Sequence, residues 1–315
     1  MTQPVPHWPG RMVSLPGGAQ VYVVETDPAG EGGGEPVLSV HGMSGAATNW
    51  TDFMAELAPD YDCKALDLPG SGFSPPPRSR GGYSITALAG TVARLIETLD
   101  AGPVHLVGNS MGGAVSIRVA AARPDLVRTL TLISPVLPDR HFRRELLEFP
   151  LAALPMLGAR MMRRIQRLPP ENRVAGAMAM CFYDPGAVHP ERFALEVAEL
   201  RRRDGLAYEP VTLSRAARTL VAETLRPRRY SLWQAAGQIQ APVLVMFGSH
   251  DKLVSPRLAA PAARAFRDAT VVVLPRTGHV AQMERPALVA ERFREMVRTR
   301  AQGTGNSGRR DPVDA

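Results

Sequence analysis

The feature that most constrains the fold of this 315-residue chain is a short apolar run leading through a glycine-rich turn into a helix. The apolar residues 104–107 are followed by G-N-S-M-G-G at 108–113 and by the helix-favouring A-V-S-I-R-V-A at 114–120. In a G-x-S-x-G pattern the serine is held in a strained conformation, and small neighbours let the strand and the helix approach each other. Ser110 is therefore predicted to be a nucleophile that lies near the positive end of a helix dipole.

Short apolar runs recur along most of the chain and alternate with helical patterns. The first two flank P-G-G at 16–18, which is typical of an antiparallel hairpin. The later alternation predicts a largely parallel sheet with helices on both faces. The predicted strands are residues 12–15, 21–24, 37–40, 63–66, 104–107, 130–133, 243–247 and 271–274.

The alternation stops for about a hundred residues, which carry helical patterning and no convincing strand. We predict a core formed by residues 1–134 and 233–300, an inserted helical cap at 135–232 and a disordered tail at 301–315. Residues 151–168 of the cap place apolar side chains on one helical face and arginines on the other. A cap helix that packs on the core is the favoured interpretation, and the alternative is a helix that lies on a membrane surface or contacts an acyl chain.

Two further motifs follow predicted strands, namely V-H-G-M-S-G at 40–45 and D-L-P-G-S-G-F-S at 67–74. Together with the turn around Ser110 they resemble the α/β-hydrolase family, over roughly residues 10–135 and 233–300. The resemblance implies the α/β-hydrolase fold, a mostly parallel sheet of about eight strands with helices on both faces and an inserted helical cap.

The resemblance also assigns roles around the serine. It implies that the backbone N–H groups of Met43 and Met111 bind the developing oxyanion, and that Gly42 contacts the substrate. The motif that begins at Asp67 is a structural turn in this family, so Asp67 is not predicted to be the catalytic acid.

A serine hydroxyl needs a base to accept its proton and an acid to orient that base. His279 follows the last predicted strand and precedes a terminal helix, the position at which this family carries its base. Asp251 follows the preceding strand, so Ser110, Asp251 and His279 form the predicted triad in the chain order of this fold. The nearest acidic competitors, Glu284 and Asp268, are better explained as surface salt-bridge residues.

The predicted reaction is hydrolysis of an ester or thioester through an acyl-enzyme on Ser110. The G-N-S-M-G-G motif with Asn49 and Trp50 also resembles the carbon–carbon bond hydrolases that cleave ring-fission products. Those enzymes usually carry tryptophan after the catalytic histidine, where this chain has Val280, a predicted substrate contact. A third alternative is a ligand-binding protein that keeps the fold without turnover.

The predicted cap is rich in flexible apolar side chains, which favours an apolar ester or acyl substrate. These side chains are Leu146, Leu147, Phe149, Leu151, Leu154, Met156, Leu157, Met161, Met162, Met178, Met180 and Phe182.

Composition limits the remaining partners. The net charge of +7 arises mainly between residues 139 and 232, with 17 arginines against 11 acidic residues, but no nucleic-acid-binding motif accompanies it. Two cysteines without metal-ligand spacing indicate neither a disulfide framework nor a metal site, and the chemistry needs no cofactor. No leader-like or membrane-spanning apolar segment is visible, so a cytoplasmic location is predicted, with the oligomeric state left open.

Overall fold

The computed structural model describes residues 5–28, 33–139, 153–154 and 156–305, which contain a single eight-stranded sheet. The strands are β1 (Gly10–Ser14), β2 (Gln20–Glu25), β3 (Glu35–Val40), β4 (Tyr61–Leu66), β5 (Val104–Asn109), β6 (Val127–Ile133), β7 (Val243–Gly248) and β8 (Ala269–Leu274). Their order across the sheet is β1-β2-β4-β3-β5-β6-β7-β8.

The first two strands form the predicted hairpin. β1 pairs with β2 and β2 pairs with β4 in antiparallel fashion, whereas all later pairs are parallel. The hairpin turn uses Gly17 and Gly18, with φ of 88° and 77°, values that glycine adopts without a steric penalty. The predicted sheet of about eight mostly parallel strands is confirmed.

Helices cover both faces of the sheet. Their bounds are α1 (Thr51–Leu57), α2 (Ile85–Leu99), α3 (Met111–Ala122), α4 (Leu157–Ile165), α5 (Pro170–Cys181), α6 (Pro190–Asp204), α7 (Glu209–Thr224), α8 (Leu232–Ala236), α9 (Ala259–Ala265), α10 (Ala281–Glu284) and α11 (Pro286–Gly305).

The central strands are apolar on both sides because each face meets helices. In β7, Val243, Val245 and Phe247 join the core beneath α2, α3, α8 and α9. Leu244 and Met246, the alternate residues, join the second core beneath α1 and α11. Because successive side chains of a strand point to opposite faces of the sheet, the apolar residues of β7 contribute alternately to the two cores.

The described residues between 135 and 232 contain helices and no strand. α4 packs on α7 and α5 packs on α6, with a small apolar core formed by Val174, Met178, Phe182 and Val197. The division into core and cap stays a prediction. The tail predicted to be disordered at 301–315 overlaps the last turn of α11, which ends at Gly305, and its residues 306–315 lie outside the described residues.

Within the described ranges, no helix combines the length and apolar character that crossing a bilayer requires. The cytoplasmic location and the alternative of a membrane-surface contact stay predictions.

Candidate active site

Ser110 occupies a sharp turn between β5 and α3. Its backbone has φ of 55° and ψ of −116°, a strained conformation for a residue with a side chain. A Cβ on Gly112 would lie 2.1 Å from the carbonyl oxygen of Val40, and one on Gly108 would lie 2.6 Å from that of Gly112. The two glycines of the motif are therefore required by the close approach of strand, turn and helix.

Asp251 and His279 form a buried pair. His279 Nδ1 lies 2.9 Å from Asp251 Oδ2, while the N–H groups of Leu253 and Val254 each donate to Asp251 Oδ1 at 2.8 Å. Burial acts to raise the pKa of Asp251, but His279 and these donors outweigh it, so the pKa lies below its ordinary 3.8. Since an ionised carboxylate only accepts hydrogen bonds, His279 must donate from Nδ1, which leaves Nε2 to take up a proton.

A cavity of about 780 Å³ brings most of the predicted site together. It is lined by Ser110, His279, Gly42, Met43 and Val280. Asp251 lies behind the histidine and is not among the described residues that line the cavity.

Met111 is likewise not among the described cavity-lining residues. It is the buried first residue of α3 and follows Ser110 directly in the chain. Its backbone N–H is one of the unsatisfied donors at a helix N-terminus, as the predicted oxyanion role requires.

The loop at Gly42 is held against the nucleophile. Burial lowers the pKa of His41 to about 4, so its ring is neutral, accepting from the N–H of Leu68 at 2.9 Å through Nε2. Its Nδ1 then donates to the carbonyl oxygen of Gly42 at 2.7 Å. A Cβ on Gly42 would lie 3.1 Å from Cβ of Ser110, so this loop approaches the serine closely.

The turn that begins at Asp67 is structural in its contacts. The carboxylate of Asp67 accepts from the N–H of Ala47 at 2.7 Å and from that of Phe73 at 2.8 Å. Burial raises the pKa of Asp67 to about 6 despite these donors. Asp67 therefore fixes the loop after β3 against the loop after β4.

Asn109 is a residue whose role the motif alone did not reveal. Its side-chain amide donates to the carbonyl oxygens of Ile133, at 3.1 Å, and His279, at 3.0 Å. Both amide hydrogens are therefore used, and they join the end of β5 to the end of β6 and to the loop that carries His279.

The expectation of a surface salt bridge is wrong for Glu284. Its carboxylate accepts from the N–H of Gly278 at 2.6 Å, from that of Tyr183 at 2.9 Å and from that of Asp184 at 3.2 Å. Backbone N–H groups are present at almost every residue, so the sequence carries no signal for such a partner. Asp268, in contrast, does form an ion pair, with Arg300.

The C-terminal end of α5 rests on the loops that carry the acid and the base. The N–H of His279 donates to the carbonyl oxygen of Cys181 at 2.6 Å, and Lys252 Nζ donates to that of Ala179, also at 2.6 Å. Cys181 also lines the cavity, but burial raises the pKa of its thiol to about 12, so it stays protonated and is not a competing nucleophile.

The cavity wall is largely apolar, and α4 to α7 supply slightly less than half of its residues. Three of the apolar side chains singled out in the sequence, Met162, Met178 and Phe182, line it, whereas Met156 and Met180 are exposed. Leu146, Leu147, Phe149 and Leu151 lie outside the described residues. Within the described part of the chain, no group of three or more His, Cys, Asp or Glu residues is arranged to hold a metal ion.

A family model described as alpha/beta hydrolase fold matches residues 35–286, which is about four-fifths of the chain. The chain belongs to the α/β-hydrolase family. The resemblance read from the motifs is thereby confirmed, and so is the fold.

Relatives of this α/β hydrolase have different activities. The dihydrolipoyllysine-residue acetyltransferase component of the acetoin cleaving system of Pseudomonas putida is 32% identical over 80% of this chain. This chain spans only 60% of the length of that relative. A 2-hydroxy-6-oxononadienedioate/2-hydroxy-6-oxononatrienedioate hydrolase of Cupriavidus pinatubonensis is 27% identical over 91% of this chain and 93% of its own length.

Among solved structures, a thermophilic esterase from Thermogutta terrifontis is similar to this α/β hydrolase with a TM-score of 0.70. The match covers 92% of this chain and 98% of the esterase at 24% identity, and it supports the common fold.

Proposed function

We propose that this α/β hydrolase is a serine hydrolase that cleaves an ester or thioester of an apolar acyl substrate. The observation that carries the proposal is the Asp251–His279 hydrogen bond, 2.9 Å long, beside a cavity that the strained Ser110 also lines. A nucleophile and a base that share one cavity, with a buried acid that orients the base, are the parts that acyl transfer requires.

In the proposed mechanism, Ser110 Oγ attacks the substrate carbonyl while His279 Nε2 takes its proton. Asp251 stabilises the imidazolium that forms, and the N–H groups of Met43 and Met111 stabilise the oxyanion. His279 then gives the proton to the leaving alcohol or thiol. Water then attacks the acyl-enzyme while His279 takes its proton. His279 returns that proton to Ser110 Oγ as the carboxylic acid product leaves.

The cavity supports an apolar substrate, because flexible and branched apolar side chains supply most of its wall. Gly42, whose added Cβ would approach Ser110, and Val280, which directly follows His279, are the proposed substrate contacts beside the reacting groups. The apolar wall includes Met43, Val136, Leu137, Met162, Ile165, Met178, Phe182, Leu200, Leu213, Leu220, Val221 and Leu225.

The test is turnover of p-nitrophenyl esters from acetate to palmitate by wild type, Ser110→Ala and Ser79→Ala. Ser79 is an exposed serine far along the chain from the turn at Ser110 and serves as the matched control. Wild type and Ser79→Ala should release nitrophenolate at equal rates, and Ser110→Ala should lose the activity. Equal turnover by all three proteins would remove Ser110 from the mechanism.

A second candidate function is carbon–carbon bond hydrolysis of ring-fission products. The Cupriavidus relative that matches nearly the full length of both chains favours it, as does the G-N-S-M-G-G motif. Val280, in place of the usual tryptophan after the histidine, counts against it. Loss of the absorbance of a 2-hydroxy-6-oxo-dienoate with wild type, without ester turnover, would favour this candidate. Silence on both substrate classes would favour the non-catalytic alternative.

A further inference from the structure

One face of α6 contributes two ionisable side chains to the largely apolar cavity. Glu196, Leu200 and Arg203 all line it, at the i, i+4, i+7 spacing that places residues on one side of a helix. The guanidinium of Arg203 donates to the carbonyl oxygen of Ser44 at 2.9 Å. Since Ser44 directly follows Met43, this face of α6 adjoins the proposed oxyanion loop.

The arginines that line the described part of the cavity already have acidic partners. Arg173 Nη1 lies 2.8 Å and 2.6 Å from the two carboxylate oxygens of Asp204. Arg203 lies 3.6 Å from Glu209 and 3.7 Å from Glu199. Both arginines are ion-paired, although Arg203 Nε is itself buried without a hydrogen-bond partner among the described residues.

Glu196 differs from these ion-paired groups. Its Oε1 atom is buried and has no hydrogen-bond partner among the described residues. Burial raises the pKa of Glu196, with Glu199 and Asp52 acting in the same direction and Arg203 and Arg192 opposing it. A protonated carboxyl can donate one hydrogen bond and accept others, whereas a buried polar atom without a partner is costly.

We propose that Glu196 is a specificity-determining residue that binds an uncharged, oxygen-bearing group of the substrate and disfavours a substrate carboxylate at the same place. An ether, ester or hydroxyl oxygen would satisfy the unpartnered carboxyl. A substrate carboxylate at this place would lose its hydration beside Glu196, which is itself acidic. The arginines of the cavity would compensate for this only weakly, because they already form ion pairs. The inference rests on the proposed ester hydrolysis and narrows its substrate class to neutral esters.

The test compares three p-nitrophenyl esters of similar length, namely octanoate, methyl adipate and the adipate half-ester with a free carboxylate. The rates are compared at pH 6, where the substrate carboxylate is ionised and the raised pKa of Glu196 favours its protonated form more than at higher pH. For wild type, kcat/KM for methyl adipate should exceed that for the half-ester by at least about tenfold. Glu196→Leu should lower the ratio of kcat/KM for methyl adipate to kcat/KM for octanoate about fivefold, because the hydrogen bond to the substrate is lost. Glu196→Gln should hold that ratio within about twofold, because its amide still donates.

Glu191→Gln is the matched control, because Glu191 lies exposed on the same helix. It should leave all three rates unchanged. The inference is overturned if wild type cleaves the half-ester as fast as methyl adipate, a comparison that stands even if Glu196→Leu does not fold. It is also overturned if folded Glu196→Leu has the same kcat/KM ratios as wild type, both for methyl adipate against octanoate and for methyl adipate against the half-ester. Absence of octanoate turnover by wild type would instead overturn the proposed ester hydrolysis itself.

Discussion

The side chain of Asn109 donates a hydrogen bond to the carbonyl oxygen of His279 across 3.0 Å, although 170 positions separate the two residues in the chain. The same amide donates to Ile133, at the end of β6. Asn109 directly precedes Ser110, the proposed nucleophile, and thereby holds the loop that carries His279 relative to the turn that carries the serine.

Replacing Asn109 with leucine should lower kcat more than it changes KM. Two buried carbonyl oxygens would lose their donors, at a cost of about 1–3 kcal/mol each, and His279 would be free to shift. A displacement of the base by about 1 Å lowers kcat on the order of a hundredfold. Steady-state kinetics on p-nitrophenyl octanoate measure both constants. Asn172→Leu, at an exposed asparagine of α5, is the control, and an unchanged kcat for Asn109→Leu would refute the positioning role.

Replacing glycine with alanine should have opposite effects on stability at Gly278 and at Gly176. A Cβ on Gly278 would lie 2.2 Å from the carbonyl oxygen of Cys181, a backbone atom that cannot move cheaply, whereas nothing lies within 4 Å of a Cβ on Gly176. Gly278→Ala should lower the free energy of unfolding by about 2 kcal/mol and reduce kcat, because His279 follows it directly. Gly176→Ala, inside α5, should raise stability by about 0.5–1 kcal/mol. Urea unfolding of the two variants measures the difference, and equal stabilities would contradict it.

Glu284→Gln should weaken the contact between the base loop and the segment after α5. Both carboxylate oxygens of Glu284 accept hydrogen bonds from backbone N–H groups. A glutamine amide keeps only one acceptor oxygen, and its NH₂ group would face backbone N–H donors with which it cannot form a hydrogen bond. Hydrogen bonds to a charged group contribute about 1.5–3 kcal/mol, so the melting temperature and kcat should both fall. Calorimetry and ester kinetics test this against Glu291→Gln, at an exposed glutamate of α11. Identical behaviour of the two variants would show that the carboxylate is dispensable.

Asp67 should make stability depend on pH between about 4 and 6. Burial raises its folded pKa from 3.8 to about 6, so the folded state binds more protons than the unfolded state in this range. Its contribution to the free energy of unfolding is therefore greatest below pH 3.8 and falls as pH rises to about 6. The difference in stability between wild type and Asp67→Asn should change by about 3 kcal/mol over this window, to the disadvantage of the wild type. Urea titrations at several pH values measure it, and parallel curves would mean an ordinary pKa.

Much of the fold follows from local chemistry in the sequence. The strand, the two glycines and the helix around Ser110 could be recognised because the steric requirements of that turn act between neighbours in the chain. The hairpin at residues 16–18 and the parallel strands followed from glycine content and from apolar runs of strand length. The pairing of Asp251 with His279 was anticipated because parallel strands bring their C-terminal loops to one edge of the sheet.

Contacts that join distant segments through backbone atoms could not be anticipated. Glu284 looked like a surface acid because its partners, the N–H groups of Gly278, Tyr183 and Asp184, are not distinguished by residue type.

The helical pattern of α6 likewise could not show whether a face carrying Glu196 and Arg203 meets solvent or a cavity. The sequence by itself determined the sheet, the turn at Ser110 and the pairing of Asp251 with His279. Only the tertiary structure decided which polar groups of α6 face the cavity and which backbone donors hold the base loop, because burial depends on the packing of the whole chain.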